Sequence, residues 1–139
     1  MPTKALMLAL MTWVHGIVPG LPVPAEVPEV VVAQCFEGWC LRDEFAEYLD
    51  ATPRHPNGVV HLGGDWKPGV LGYAVLAHEL IHRMQDASHQ KFACKEAQEL
   101  DAWYVTRAYI ETHQGDFWRL TEQSPRSLDK MTHCPTRRS

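Results

Sequence analysis

Two histidines four residues apart, with a glutamate directly after the first, are the residues of this chain best fitted for chemistry: His78-Glu79-Leu80-Ile81-His82. On an α-helix, positions i and i+4 project from one face about a turn apart, so both imidazoles can reach one ion at bond lengths of about 2.0 to 2.1 Å. Glu79 is rotated by about 100° from His78, beside the ion rather than on it, where a carboxylate can take a proton from an attacking water. The flanks are apolar, with Leu76 and Ala77 before the motif and Leu80 and Ile81 inside it. Unpartnered imidazoles and a carboxylate are costly in such surroundings. The spacing therefore marks His78 and His82 as zinc ligands and Glu79 as the general base of a hydrolase.

A third ligand has to come from elsewhere. A site of the HExxHxxGxxH type needs Gly three residues and His six residues after the second histidine, and Gln85 and Ser88 stand there instead. His89, one position further on, reads as a loop residue. A second helix, expected over about Lys95 to His113 and stopped by Gly115, offers Glu96, Glu99 and Asp101, which follow His82 by 14, 17 and 19 residues. Running antiparallel to the first helix, it would deliver one of these three to the metal.

The pattern Leu76-Ala77-His78-Glu79-Leu80-Ile81-His82-Arg83-Met84-Gln85, followed by a loop with Cys94 and then Glu99-Leu100-Asp101-Ala102-Trp103, resembles small bacterial gluzincin-like zinc metallopeptidases. In these, an HELxHxxQ helix precedes a helix with an ExxAY or ExEA motif. The repressor-cleaving metallopeptidases of mobile elements are a more distant likeness. The resemblance spans about residues 58 to 114 and implies a minimal zincin-like fold, a Zn2+ cofactor and a peptide or protein substrate. It puts the third ligand on Glu99 and makes Asp101 the candidate carboxylate for orienting His78. The ExxxD pattern of larger gluzincins is missing, since Trp103 stands four residues after Glu99.

The elements that must hold these residues follow from periodicity. Val70 to Met84 is apolar, free of proline and too long for one strand, so it reads as a largely buried helix. Val59 to Leu62, β-branched and bounded by glycines, reads as a strand. It serves either as a core strand or as the one that pairs with an extended substrate. Leu41 to Asp50 spaces Leu41, Phe45, Tyr48 and Leu49 as an amphipathic helix would. His61, Tyr73, Tyr104 and His113 are the candidate oxyanion donors, and spacing does not choose among them. The fold class expected is α+β, with a zincin-like domain over residues 26–120.

The chain has 139 residues, enough for one domain. A net charge of −4 without a basic stripe gives a nucleic-acid binder no source of affinity. Lys4, the apolar run Ala5 to Val18 and a proline-rich break before Ala25 read as a signal peptide over residues 1–25, too short to remain as a membrane span. The four cysteines all lie beyond it, which fits a periplasmic or secreted protein with disulfides. Cys35 with Cys40 and Cys94 with Cys134 is the preferred pairing. Residues 121–139 read as a polar tail, loosely ordered from Ser124 onward unless Cys134 anchors it. The rival to a peptidase is a non-catalytic exported binding module, in which zinc and disulfides staple a core too small to stand alone.

Overall fold

The sheet is built around the β-branched segment at its centre. In the computed structural model, which describes residues 1–42 and 44–136, Val59–Leu62 forms a strand whose four residues are all buried. Its neighbours are Glu29–Val32 (β1), which runs parallel to it, and Ala46–Leu49 (β4), which runs antiparallel; Val59–Leu62 is β5. The central strand is thus paired on both sides, and β4 is the edge that packs against the helix carrying His78 and His82. Between β1 and β4 lies a small hairpin of Cys35–Phe36 (β2) and Trp39–Cys40 (β3). Glu37 and Gly38 at its tip both have positive φ, at 49° and 80°, as a tight two-residue hairpin turn requires.

The segment read as an amphipathic helix over Leu41 to Asp50 is instead the edge strand β4, with Asp43 outside the described residues. Buried β5 needs hydrogen-bond partners on both sides, and the register Ala46↔Leu62 to Leu49↔Val59 supplies them. A short apolar stretch fits either period, and the demand of the neighbouring strand decides between them.

Val70–Ala87 forms the long helix α2, with Leu76, Leu80, Ile81 and Met84 fully buried. At its start the Trp66 indole donates to the Gly72 carbonyl at 2.9 Å, and a Cβ at Gly72 would lie 2.0 Å from the Lys67 carbonyl oxygen. Only glycine lets that loop fold back over the first turn. A 3₁₀ turn, Glu96–Gln98, then leads into α3, Glu99–Thr112, which packs against α2. Its end is a Schellman closure: Gly115 N–H donates to Ile110 at 2.8 Å, Gln114 N–H donates to Glu111 at 3.0 Å, and Gln114 takes the left-handed φ of 64°. Gly115 serves a different need, since a Cβ there would meet Ile110 Cγ2 at 2.8 Å.

Residues 4–17, within the apolar N-terminal run, form helix α1, Lys4–Ile17. Met7, Leu10, Met11 and Val14 are buried in the common core against α2, and Trp13 meets Tyr109 edge-on at 5.4 Å. The polar C-terminal stretch is more ordered than its composition suggests. After α4, Phe117–Thr121, it forms α5, Pro125–Thr132, started by Ser124 and Ser127 in a reciprocal capping box with Pro125 in the first turn. Residues 137–139 of that stretch lie outside the described residues. The disulfides are Cys35–Cys40 and Cys94–Cys134, the second tying α5 to the turn before α3. The architecture is α+β. Among the described residues, no helix is long and apolar enough to cross a membrane.

Candidate metal centre

Helix periodicity sets up the site from one side. His78 and His82, a turn apart on α2, have ring centroids 5.2 Å apart. Facing them is Glu99, the first residue of α3. His78 Nε2 lies 2.9 Å from Glu99 Oε2, and His82 Nε2 lies 3.0 Å from Glu99 Oε1. The three side chains each bring one donor atom into a group spanning no more than 4.8 Å. Of the three carboxylates on the second helix, Glu99 is the one that meets both histidines, while neither Glu96 nor Asp101 bonds to them.

The ring orientations are fixed from behind. Thr106, on the same face of α3 as Glu99 two turns on, gives its hydroxyl proton to the Ala102 carbonyl at 2.8 Å. Its oxygen therefore accepts from His78 Nδ1–H, 2.9 Å away. Gln85 donates its amide to the Gln98 carbonyl at 3.0 Å, and its oxygen accepts from His82 Nδ1–H at 2.8 Å. Each imidazole thus commits its Nδ1–H to an acceptor behind it and aims Nε2 at Glu99, so that Nε2 is the nitrogen each ring would offer to a metal on losing its second proton. Asp101 has neither of these roles.

Electrostatics concentrate charge here. Burial alone would raise the Glu99 carboxyl, but the hydrogen bond from His78 and the close approach and charge of both His78 and His82 outweigh it and hold Glu99 far below the usual carboxylate range. Burial opposes a charge on His82, yet Glu99 and Glu79 overcome it and lift His82 to about 9. Glu79 is 7% exposed, and burial raises its carboxyl above the ordinary value, with His78 and His82 pulling the other way.

A metal fits these residues on an observation of geometry. His82 Nε2 is buried and has no aligned hydrogen-bond partner, although Glu99 Oε1 is within ion-pair distance. Such an orphaned nitrogen is expensive, and a metal held jointly with His78 Nε2 and Glu99 would satisfy it. Two nitrogens and a carboxylate oxygen form a donor set with room for a further ligand.

The chain matches no family model, no curated protein and no solved structure. None of the remaining candidates is bonded to the triad. His61 is fully buried and donates Nε2–H to the Ala33 carbonyl at 2.7 Å. His113 sits at the far end of α3 against Tyr109, Tyr104 is 62% exposed, and Tyr73 faces Trp66. His89 is an exposed loop residue with φ of 55°. Sequence reasoning assigned no role to Thr106, Gln85 or Trp103. Trp103 occupies the position of the missing ExxxD acid and meets the His78 ring edge-on at 4.9 Å. The signal for Thr106 was its seven-residue spacing from Glu99, two helical turns on one face.

Proposed function

We propose that this chain is a zinc-dependent metallopeptidase with a minimal zincin-like fold, with His78, His82 and Glu99 holding the ion and Glu79 as general base. The observation that carries the reading is the pair of Nε2 atoms that converge on one carboxylate, with Glu79 buried beside them. When bound, zinc supplies a Lewis acid for the scissile carbonyl and lowers the pKa of water toward about 7. Glu79 accepts the proton as water oxygen adds to the carbonyl carbon. It then delivers that proton to the leaving nitrogen as the C–N bond breaks, giving a carboxylate and an amine. A carboxyl raised by burial suits this exchange, because a base works best with a pKa nearer the operating pH. Thr106 and Gln85 hold the histidines in register throughout.

The paired cysteines support export to an oxidising compartment. The test is metal content and turnover on a fluorogenic peptide library, for the wild-type protein and for Glu79→Gln. The reading requires about one zinc per chain in both proteins and a loss of about 10² to 10⁴ in rate in the variant. Equal turnover in the two would refute it.

A further inference from the structure

The stripe of α2 that carries the histidines runs on in both directions. Leu71, Val75, His78, His82 and Gln85 follow one another at steps of four and three, so they share one helix face. Leu71 and Val75 line an apolar groove of about 380 Å³, closed by Trp66 and Leu120. Beyond His82 the same face borders a polar cleft of about 230 Å³, whose wall includes Gln85, Asp86 and His89. The metal centre therefore lies between two cavities of opposite character.

The edge strand β4 joins the same two cavities. Phe45, just before it, lines the apolar groove, and Asp50, just after it, lines the polar cleft. Tyr48 ties its middle to α2 by donating to Asp86 at 2.7 Å, and Ala51 N–H donates to the same carboxylate at 2.9 Å. The strand also packs against α2, the helix that carries His78, Glu79 and His82, and Asp50 and His82 line one cleft. Because Phe45 accepts from Gly63 at 2.9 Å, residues 45, 47 and 49 bond to β5. Alternation then turns the N–H and C=O of Ala46 and Tyr48 to the side where, among the described residues, no strand pairs.

Building on the metallopeptidase reading, the geometry points to an extended peptide lying along the free edge of β4, with a large apolar side chain in the Leu71–Val75–Leu120 groove, a lysine or arginine side chain in the Asp50–Asp86 cleft, and the scissile bond between them. From Phe45 to Asp50 is about 17 Å at about 3.3 Å per residue, so the two anchors are about four to five residues apart. Charge complementarity sets the basic end. In the zinc-loaded protein, where His82 is a neutral ligand, Asp50 and Asp86 outnumber Lys91, the one lysine or arginine on the cleft wall among the described residues. Burial, then the charge of Asp86, raises the Asp50 carboxyl, as expected for two carboxylates that feel one another. The open edge makes this an endopeptidase arrangement, in which backbone hydrogen bonds supply affinity and the two end pockets supply selectivity.

The test is cleavage-site mapping with the full-length, zinc-loaded protein on a peptide library in which one apolar and one basic residue are moved independently. Expected products carry a large apolar residue on one side of the cut and Lys or Arg on the other. Asp50→Asn, at an exposed position, should reduce kcat/KM for a Lys peptide relative to its Gln counterpart by about fivefold. Leu120→Trp, which fills the groove, should reduce the preference for Leu over Ala. Cleavage with neither preference, or an unchanged Lys-to-Gln ratio in Asp50→Asn, overturns this inference and leaves the metallopeptidase reading standing. No cleavage of any library member by zinc-loaded protein overturns both.

Discussion

The Thr106 hydroxyl sits 2.9 Å from Nδ1 of His78 and spends its own proton on the Ala102 carbonyl. It can therefore only accept from the imidazole, which keeps the proton of this candidate metal ligand on Nδ1 from the next helix. Thr106→Val keeps the shape and removes the acceptor, so metal affinity should fall by about 10- to 100-fold with the helical circular dichroism unchanged. Asp101→Asn should leave affinity at the wild-type value. Chelator-competition titrations of the two variants check this directly.

How the sequence disclosed the site depends on which period each residue obeys. His78, Glu79 and His82 belong to a five-residue motif whose geometry is local, and the helix alone places them. Glu99 required a second helix at the right depth, which spacing reduced to three carboxylates and the resemblance to one. The Thr106 bond to His78 depends on the offset of α2 against α3, so spacing puts Thr106 on the Glu99 face without showing what it meets, whereas Gln85 stands three residues after His82 on the same helix, where local spacing already allows the contact. The edge strand likewise depends on a partner distant in sequence. Phe45, Tyr48 and Leu49 satisfy a helical period locally, whereas β5 imposes the strand from outside. At the N-terminus, one apolar run suits both a leader and a core helix, and in this structure Met11 and Val14 are fully buried.

His55 presents each ring nitrogen to a different carboxylate, Glu29 and Glu37, both at 3.0 Å, with Arg54 also on Glu37 at 3.5 Å. Only the imidazolium can donate to both, so Glu29 first and then Glu37 raise its pKa above 6.5, against a smaller opposing effect of burial. A raised histidine adds stability that is complete below the unfolded value near 6.5 and is lost as pH climbs through the folded value. The stability of the wild type over His55→Gln, measured by urea unfolding, should therefore shrink from pH 5.5 to pH 8.5. It should shrink less in high salt, because Glu29 and Glu37 are partly exposed.

The two disulfides should differ in what they contribute. Cys94 and Cys134 are 40 residues apart in sequence, Cys35 and Cys40 only five. Loop-closure entropy grows with the length enclosed, so replacing both members of the long-range pair by Ser should cost about 2 to 4 kcal/mol, and more than the same change at the hairpin. The long-range loss should also weaken metal binding, since Cys94 leads into the turn that delivers Glu99. Thermal unfolding with and without added zinc measures both effects.

Metal and fold should be linked through the orphaned nitrogen of His82. A ligand bound only by the folded protein adds RT ln(1 + [L]/Kd), about 2.7 kcal/mol at a hundredfold excess over Kd, so zinc should raise the wild-type melting temperature and a chelator should reverse it. His82→Ala removes a ligand and should abolish the shift. Glu79→Gln should keep it while losing turnover, because the proposed mechanism uses that carboxylate for proton transfer and not for holding the ion. A melting shift that survives His82→Ala would place the metal elsewhere. A shift lost in Glu79→Gln would make that residue a ligand and deprive the proposed hydrolysis of its base.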